Sequence, residues 1–335
     1  MDQEHGNMDV KQRLKEMSAE LDGPIRSYIE DEMPSNLIEA ARQYPYAGGK
    51  RMRPSMVVAA CRAVGGDGSK AVPMAVAIEY IHNFTLIHDD LMDGDEMRRG
   101  MKTSHVVYGI PTAILAGDAL FAKAYQIIAE LDVPADRLRE ILALTSKAVW
   151  DLARGQQMDV NNENADFITL EHYIETITLK TSVLFAAGAA SGAVIGGASK
   201  DVVDSIQKYA LSLGVAFQMF DDILGVYGDP AKTGKSAGND IRKGKYTVMI
   251  CHAHDTIKDR KVWDEFMSVF GNIDASDAEI EKARKILKDC GSYDYAMDMA
   301  KKYTDEAIAC LDCLKDSADK EFMVELAKFS MARDV

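Results

Sequence analysis

The chain has 335 residues, with 39 Lys and Arg against 53 Asp and Glu, giving a net charge of −14. Its 47% hydrophobic content can fill a sizeable core and excludes disorder for the bulk of the chain, while the acidic balance argues against a broad nucleic-acid surface. With only 24 Gly, 8 Pro and 7% aromatics, a turn-rich all-β architecture is disfavoured and helix is the expected state.

Residues 1–8 are polar and read as a disordered terminus without the apolar segment of a leader peptide. Val10 to Glu32 is amphipathic at helical spacing, with Gly23-Pro24 expected to kink or break it. Pro34, Pro45, Gly48-Gly49 and Pro54 punctuate the chain before the apolar run Ser55 to Val64, and Gly65-Gly66-Asp67-Gly68 reads as a turn. A long helix is expected from Ala71 into the acidic run at Asp89, followed by helices over Thr112–Leu131, Ala135–Asp159, Leu170–Leu184 and Val202–Val226. Gly228 to Lys245 is the longest loop-like stretch, and further helices separated near Gly271 and Gly291 complete the chain. No fixed-period repeat and no linker interrupts the pattern, so residues 9–335 are expected to form a single all-α domain.

Two features bear on compartment. Cys61, Cys251, Cys290, Cys310 and Cys313 are too few for a disulfide framework, and the Cys310–Cys313 pair lacks the partners of a zinc site, so core-facing thiols and a reducing, cytoplasmic location are expected. Between Lys180 and Lys200 there is no charge, and Gly188, Gly192 and Gly196 repeat a G-x-x-x-G spacing. Its Ala, Gly, Ser and Thr content transfers poorly into lipid, so a tightly packed central helix is expected and no membrane span.

The chemistry concentrates in two acidic clusters. In Asp89-Asp90-Leu91-Met92-Asp93, the carboxylates at 89 and 93, and at 90 and 93, share a helix face. Like charges at that spacing repel by about 0.2–0.5 kcal/mol per pair, and a hard cation such as Mg²⁺ would relieve them. An EF-hand built on Gly94 fails, because Leu91 and Gly100 would stand where oxygen ligands are needed. The second cluster, Gln218-Met219-Phe220-Asp221-Asp222, lies on another apolar helix. Two helices each delivering carboxylates suit a diphosphate held through bridging Mg²⁺.

Cations gather at three loops: Lys50 and Arg53 after Gly48-Gly49, the pair Arg98-Arg99, and Lys232, Lys235, Arg242, Lys243 and Lys245. In so acidic a chain they suggest anion sites, although scattered surface charge is the plainer reading of Lys232 and Lys243. The segment Asp229 to Ser236 nearly spells a phosphate-binding P-loop, but its first glycine, Gly228, is one residue early and no strand precedes it.

In the order and spacing of these motifs, from about Tyr44 to Tyr246, the sequence resembles the trans-isoprenyl diphosphate synthases, and most nearly the archaeal-type short-chain geranylgeranyl diphosphate synthases. The resemblance implies long antiparallel helices around a deep cavity, a homodimer, and Mg²⁺-dependent head-to-tail condensation of isopentenyl diphosphate with allylic diphosphates (dimethylallyl, geranyl, farnesyl). Asp89, Asp90 and Asp93, with Asp221 and Asp222, correspond to the metal-binding motifs, Asp221 being the expected direct ligand of its pair. Lys50, Arg53, His82 and Arg99 correspond to the isopentenyl diphosphate contacts; Arg98, Lys180, Thr181, Gln218, Lys235 and Lys245 correspond to the allylic ones. The Lys180 backbone and the Gln218 side-chain oxygen are the expected stabilisers of the allylic cation. Phe84, with Thr85 beside it, is expected to limit the product at C20, whereas helix geometry alone favours Thr85 or Ile81. One departure is Gly225, where the second motif commonly ends in Asp. Farnesyl or geranylfarnesyl synthases, a class I terpene cyclase and a non-catalytic partner subunit are the rivals; the last two fit less well, because both aspartate motifs are present in the prenyl synthase form.

Overall fold

A computed structural model describes residues 8–163, 165–228 and 238–331. They divide into two compact units, the first from the described residues among 8–149, 184–207 and 313–325, the second from those among 150–183, 208–312 and 326–331.

In the first unit, α1 (Val10–Ser27) starts at Asp9, whose carboxylate accepts the Lys11 and Gln12 amides at 3.0 and 3.2 Å. The helix runs through Gly23-Pro24 instead of breaking there. Burial of Leu14, Met17, Leu21 and Ile25 on one face holds it, and Glu20, whose carbonyl loses its bond at Pro24, is exposed to water. The proline-punctuated stretch that follows also contains a helix the sequence did not suggest, α2 (Ser35–Tyr46), with Pro34 at its N-cap and Pro45 in its last turn. α3 (Met52–Ala63) is buried almost throughout. α4 (Gly68–Asp93) has 26 residues, about 39 Å at 1.5 Å per residue. Asp67 caps its start and Gly94, at φ +66°, ends it directly after Asp93.

A hairpin that periodicity does not reveal comes next: β1 (Met97–Arg98) pairs antiparallel with β2 (Met101–Lys102). Its two turn residues, Arg99 at φ +53° and Gly100 at φ +78°, carry the positive angles a tight hairpin turn demands. α5 (Ser104–Tyr108) and α6 (Ile110–Ala129) follow, then α7 (Ala135–Asn162), which contributes to both units.

The uncharged segment forms α9 (Val183–Ile195), buried from Leu184 to Ile195. Its glycine stripe lies directly on α3: a Cβ at Gly192 would sit 2.1 Å from the Val57 carbonyl oxygen, and one at Gly196 2.7 Å from that of Cys61. Two stretches, Leu170–Ile195 and Lys200–Tyr227, are long and apolar enough to cross a membrane, one more than the sequence suggested, and 78% and 61% of their apolar windows are buried in protein.

In the second unit, the expected helix Leu170–Leu184 is interrupted. α8 (Leu170–Ile177) passes into a π-helical turn, Thr178–Ser182, before α9. Two glycines bracket this wider turn, since a Cβ at Gly155 would lie 2.4 Å from the Lys180 nitrogen and one at Gly214 2.7 Å from the Ser182 Cα. α10 (Lys200–Tyr227) carries the second acidic cluster. The short α11 (Asn239–Arg242), then α12 (Val248–Thr256), α13 (Arg260–Met267), α14 (Asp277–Asp289) and α15 (Ser292–Ala309) enclose a core around Phe220, Ile223, Met249, Phe266 and Leu287. α16 (Ala318–Met331) closes the described chain. Cys61 and Cys251 are buried, but Cys313 is exposed on the 3₁₀ turn Cys310–Cys313, so it is not a core thiol.

Candidate active site

In the first unit, α4 presents His82, Phe84, Thr85, Asp89, Asp90 and Asp93 along its last three turns. Asp93 is exposed and Asp89 half-buried, whereas Asp90 is 1% exposed. A buried carboxylate is tolerated only when paired. Arg98 from the hairpin supplies the charge, its Nε donating to both Asp90 oxygens at 2.7 Å and its Nη2 standing 2.5 Å from Oδ1. The Tyr44 hydroxyl of α2 donates to Asp90 Oδ2, and the Ser104 amide donates to that hydroxyl at 3.3 Å. Burial, and then Asp90, hold the Tyr44 pKa above its ordinary value, so Tyr44 stays a donor.

The loop before α3 takes positive φ at Gly48, Gly49 and Arg51. Arg99 braces it by donating to the Gly48 carbonyl at 3.2 Å, and a Cβ at Gly49 would meet the Arg99 guanidinium at 3.0 Å. Arg53 lies 3.4 Å from His82 Nε2 and stacks its guanidinium 4.3 Å from the Phe185 ring centroid. Burial, then Arg53, Arg99, Arg98 and Arg51, push the His82 pKa well below its usual value, so the ring is neutral. Lys50 is exposed on the same loop. The predicted group Lys50, Arg53, His82 and Arg99 thus comes from one loop, the first turn of α3, α4 and the hairpin, and Arg98, predicted for the allylic set, lies on the same hairpin.

Phe84 packs edge-on to His88 at 5.3 Å and against Phe121 of α6 at 5.4 Å, and Phe121 meets Tyr125 at 5.0 Å. Gly117 makes room, because a Cβ there would lie 2.3 Å from His88 Nε2. Thr85 turns its hydroxyl back to the His82 carbonyl at 2.8 Å, and Ile81 is fully buried.

The second unit repeats the first arrangement. Asp222, 1% exposed, accepts from the Tyr173 hydroxyl at 2.7 Å, from Lys245 Nζ at 2.7 Å and from Gln218 Nε2 at 3.0 Å, while Asp221 is half-buried. Burial opposes the Lys245 charge, but Asp222 and Asp240 outweigh it and raise the pKa above the ordinary lysine value, even with 39% of the side chain exposed. The Gln218 oxygen accepts from the Thr181 hydroxyl at 3.1 Å, which leaves one lone pair for the cation role expected of it. Lys180 pairs with Asp159 at 2.5 Å. A Cβ at Gly225 would lie 2.0 Å from Asp240 Oδ2, so the carboxylate absent from position 225 has a neighbour in its place, supplied by α11. Arg242 is committed elsewhere, to Asp277 at 2.7 Å and the Ala275 carbonyl at 3.0 Å. Lys235, with Lys232 and the near P-loop Asp229 to Ser236, lies outside the described residues.

Sequence reasoning missed Tyr44, Tyr173, Asp159 and Asp240, which complete these sites. Tyrosines carry no local signal of a carboxylate partner far along the chain. Asp159 had one weak signal, a carboxylate close after the polar pair Gln156-Gln157.

Comparison with known proteins gives the same answer at every level. The profile of the Polyprenyl synthetase family matches residues 35–287. The chain is similar to the geranylgeranyl diphosphate synthase of Methanosarcina mazei, 37% identical over 98% of this chain and 99% of that protein. Among solved structures it is similar to a geranylgeranyl pyrophosphate synthetase from Pyrococcus horikoshii, with TM-score 0.92, 39% identity and coverage of 97% of this chain and 99% of that one. It is also similar to a polyprenyl synthase from Caulobacter crescentus complexed with calcium and isoprenyl diphosphate, with TM-score 0.85, 31% identity and 99% of each chain covered.

Proposed function

Because the chain belongs to the Polyprenyl synthetase family, we propose that its two aspartate motifs and three cationic groups make geranylgeranyl diphosphate from isopentenyl diphosphate and shorter allylic diphosphates. The enzyme is a trans-prenyltransferase that joins prenyl units head to tail.

The observation that carries the reading is the matched treatment of the two Asp pairs. Asp90 and Asp222 are each 1% exposed and clamped by a tyrosine and a cation, while Asp89 and Asp221 stay partly open. Each buried partner sets its neighbour and one cation at a defined position. The donor chemistry fits Mg²⁺, since Asp89, Asp93 and Asp221 offer hard oxygen ligands that reach solvent. When bound, Mg²⁺ neutralises charge on the departing diphosphate.

The chain's own groups do the rest. In the first unit Arg98, beside the buried Asp90, and in the second Lys245, beside the buried Asp222, are assigned to allylic diphosphate oxygens, as are Lys180, Thr181, Gln218 and Lys235. Lys50, Arg53, His82 and Arg99 hold the diphosphate of isopentenyl diphosphate, with neutral His82 as a hydrogen-bonding group. As the allylic carbon–oxygen bond breaks, the Lys180 carbonyl in its π-turn and the Gln218 oxygen face the positive charge. The alkene of isopentenyl diphosphate attacks, and the proton then lost goes to the released diphosphate. Phe84, backed by Phe121 and Tyr125, ends the apolar path at C20.

A homodimer fits the exposed apolar side chains Val106, Val107, Ile110, Ile114 and Leu115 on α5 and α6, from 40% to 55% exposed. Five cysteines in 335 residues, too few for a disulfide framework, fit a reducing, cytoplasmic setting. Incubation with Mg²⁺, isopentenyl diphosphate and dimethylallyl diphosphate, followed by sizing of the product, tests the function. A C20 product is expected; a product that stops at C15, or a cyclised hydrocarbon, overturns the reading.

A further inference from the structure

We propose that Arg51 and Glu79 are positioning residues for isopentenyl diphosphate: their buried ion pair fixes the junction between the loop that carries Lys50 and the first turn of α3 that carries Arg53 against the turn of α4 that carries His82. This rests on the reading of Lys50, Arg53 and His82 as the contacts of that substrate.

Arg51 stands between Lys50 of the loop and Arg53 of α3 yet behaves as neither. Its side chain is 1% exposed and that of Glu79 5%, with Nη1 and Oε1 2.5 Å apart. Arg51 Nη2 donates to the Pro45 carbonyl at 2.5 Å and lies 3.8 Å from Asp22 Oδ1. The Asn83 amide donates to Glu79 Oε1 at 3.1 Å, so the carboxylate is held from its own helix as well. A buried pair of this kind is seldom more stabilising than apolar side chains of the same volume, so its presence calls for a positional reason.

The backbone supplies that reason. Arg51 adopts φ +49°, a left-handed conformation that a residue with a Cβ seldom takes. The inversion sends its side chain into the core while Lys50 remains exposed and Arg53 stacks on Phe185. Glu79 and His82 are three apart on α4 and share a face, and Arg53 approaches His82 at 3.4 Å. Two links thus join the same two segments side by side. The Arg51–Glu79 link is enclosed and permanent, and the Arg53–His82 link is the one offered to substrate.

Steady-state kinetics, varying each substrate in turn, test the assignment on three variants. Arg51→Met/Glu79→Leu removes both charges and strands neither, so the protein is expected to fold with a melting temperature near that of the wild type. Its KM for isopentenyl diphosphate should rise roughly tenfold or more, with that for the allylic substrate changed less than about twofold, because only one subsite loses its alignment. Arg51→Lys keeps the charge but not the fork that reaches Pro45 as well as Glu79, and should raise the same KM by a smaller factor. Lys50→Ala is the control for the site itself. If its KM for isopentenyl diphosphate is unchanged, the substrate reading fails and the proposal with it. If Lys50→Ala responds but a folded double variant does not, or both KM values rise together, the positioning role is overturned. Should the double variant not fold, Arg51→Lys decides: an unchanged KM in that protein overturns the proposal.

Discussion

At the scale of single residues, the two members of each Asp pair have different surroundings and should fail differently. Asp89 is half-buried beside exposed Asp93, so Asp89→Ala should reduce turnover by at least about a thousandfold while the melting temperature stays close to wild type. Asp90→Ala should lose turnover and stability together, by about 3–5 kcal/mol, because it strands the Arg98 guanidinium and leaves the Tyr44 hydroxyl without its acceptor. Thermal melts read beside activity separate the two; equal melting temperatures would contradict the clamp. His82 adds a pH signature. Its folded pKa lies well below the unfolded value of about 6.5, so the unfolded chain binds the extra proton first. The contribution is present above pH 6.5 and is lost as pH falls below it. His82→Gln should flatten the fall in stability between about pH 6.5 and 5 by up to one proton, as read from urea unfolding across that window.

At the scale of elements, close approaches between backbones are what glycine makes possible here. α9 lies on α3 with no space for a side chain at Gly192, where the obstacle is the Val57 carbonyl itself. Backbone cannot swing aside as a side-chain tip can, so Gly192→Ala should destabilise by about 1–3 kcal/mol despite alanine's better helix propensity, measured by denaturant unfolding. On the proposed reading, the contact of Phe84 on α4 with Phe121 on α6 limits product size. Phe84→Ala would open the space in front of Phe121, and product analysis should then show chains beyond C20 at a stability cost of about 3–5 kcal/mol or less, since Phe84 is only half-buried. Unchanged product length would remove Phe84 from the role.

At the scale of the whole molecule, the exposed apolar side chains of α5 and α6 have consequences for assembly. Ile110, Ile114 and Leu115 are 54%, 41% and 55% exposed, a patch that a second copy would cover. Sedimentation should give a dimer for the wild-type chain, and Ile114→Glu/Leu115→Glu should shift it to monomer by placing charges in an apolar interface. A wild-type monomer would refute the assembly.

The helical state, most helix positions and the two acidic clusters with the cations beside glycine turns were legible in the sequence, because these are local properties, whereas His82 was picked out only by the family resemblance. Helical periodicity, a carboxylate every third or fourth residue, and cations next to glycine turns can all be read within a few neighbours. At Pro24, where a kink or a break was expected, α1 does not break, and α2 runs from its Pro34 cap through Pro45, since burial of one apolar face outweighs a single lost hydrogen bond. Only the tertiary structure decided which carboxylate of each pair is buried, that Tyr44 and Tyr173 hold them, and that Asp240 lies against the bare backbone of Gly225. Those facts depend on residues brought together from distant parts of the chain, as Tyr44 with Asp90 and Tyr173 with Asp222. Burial makes such a partner obligatory for a charge, but nothing in the local sequence says which residue it will be.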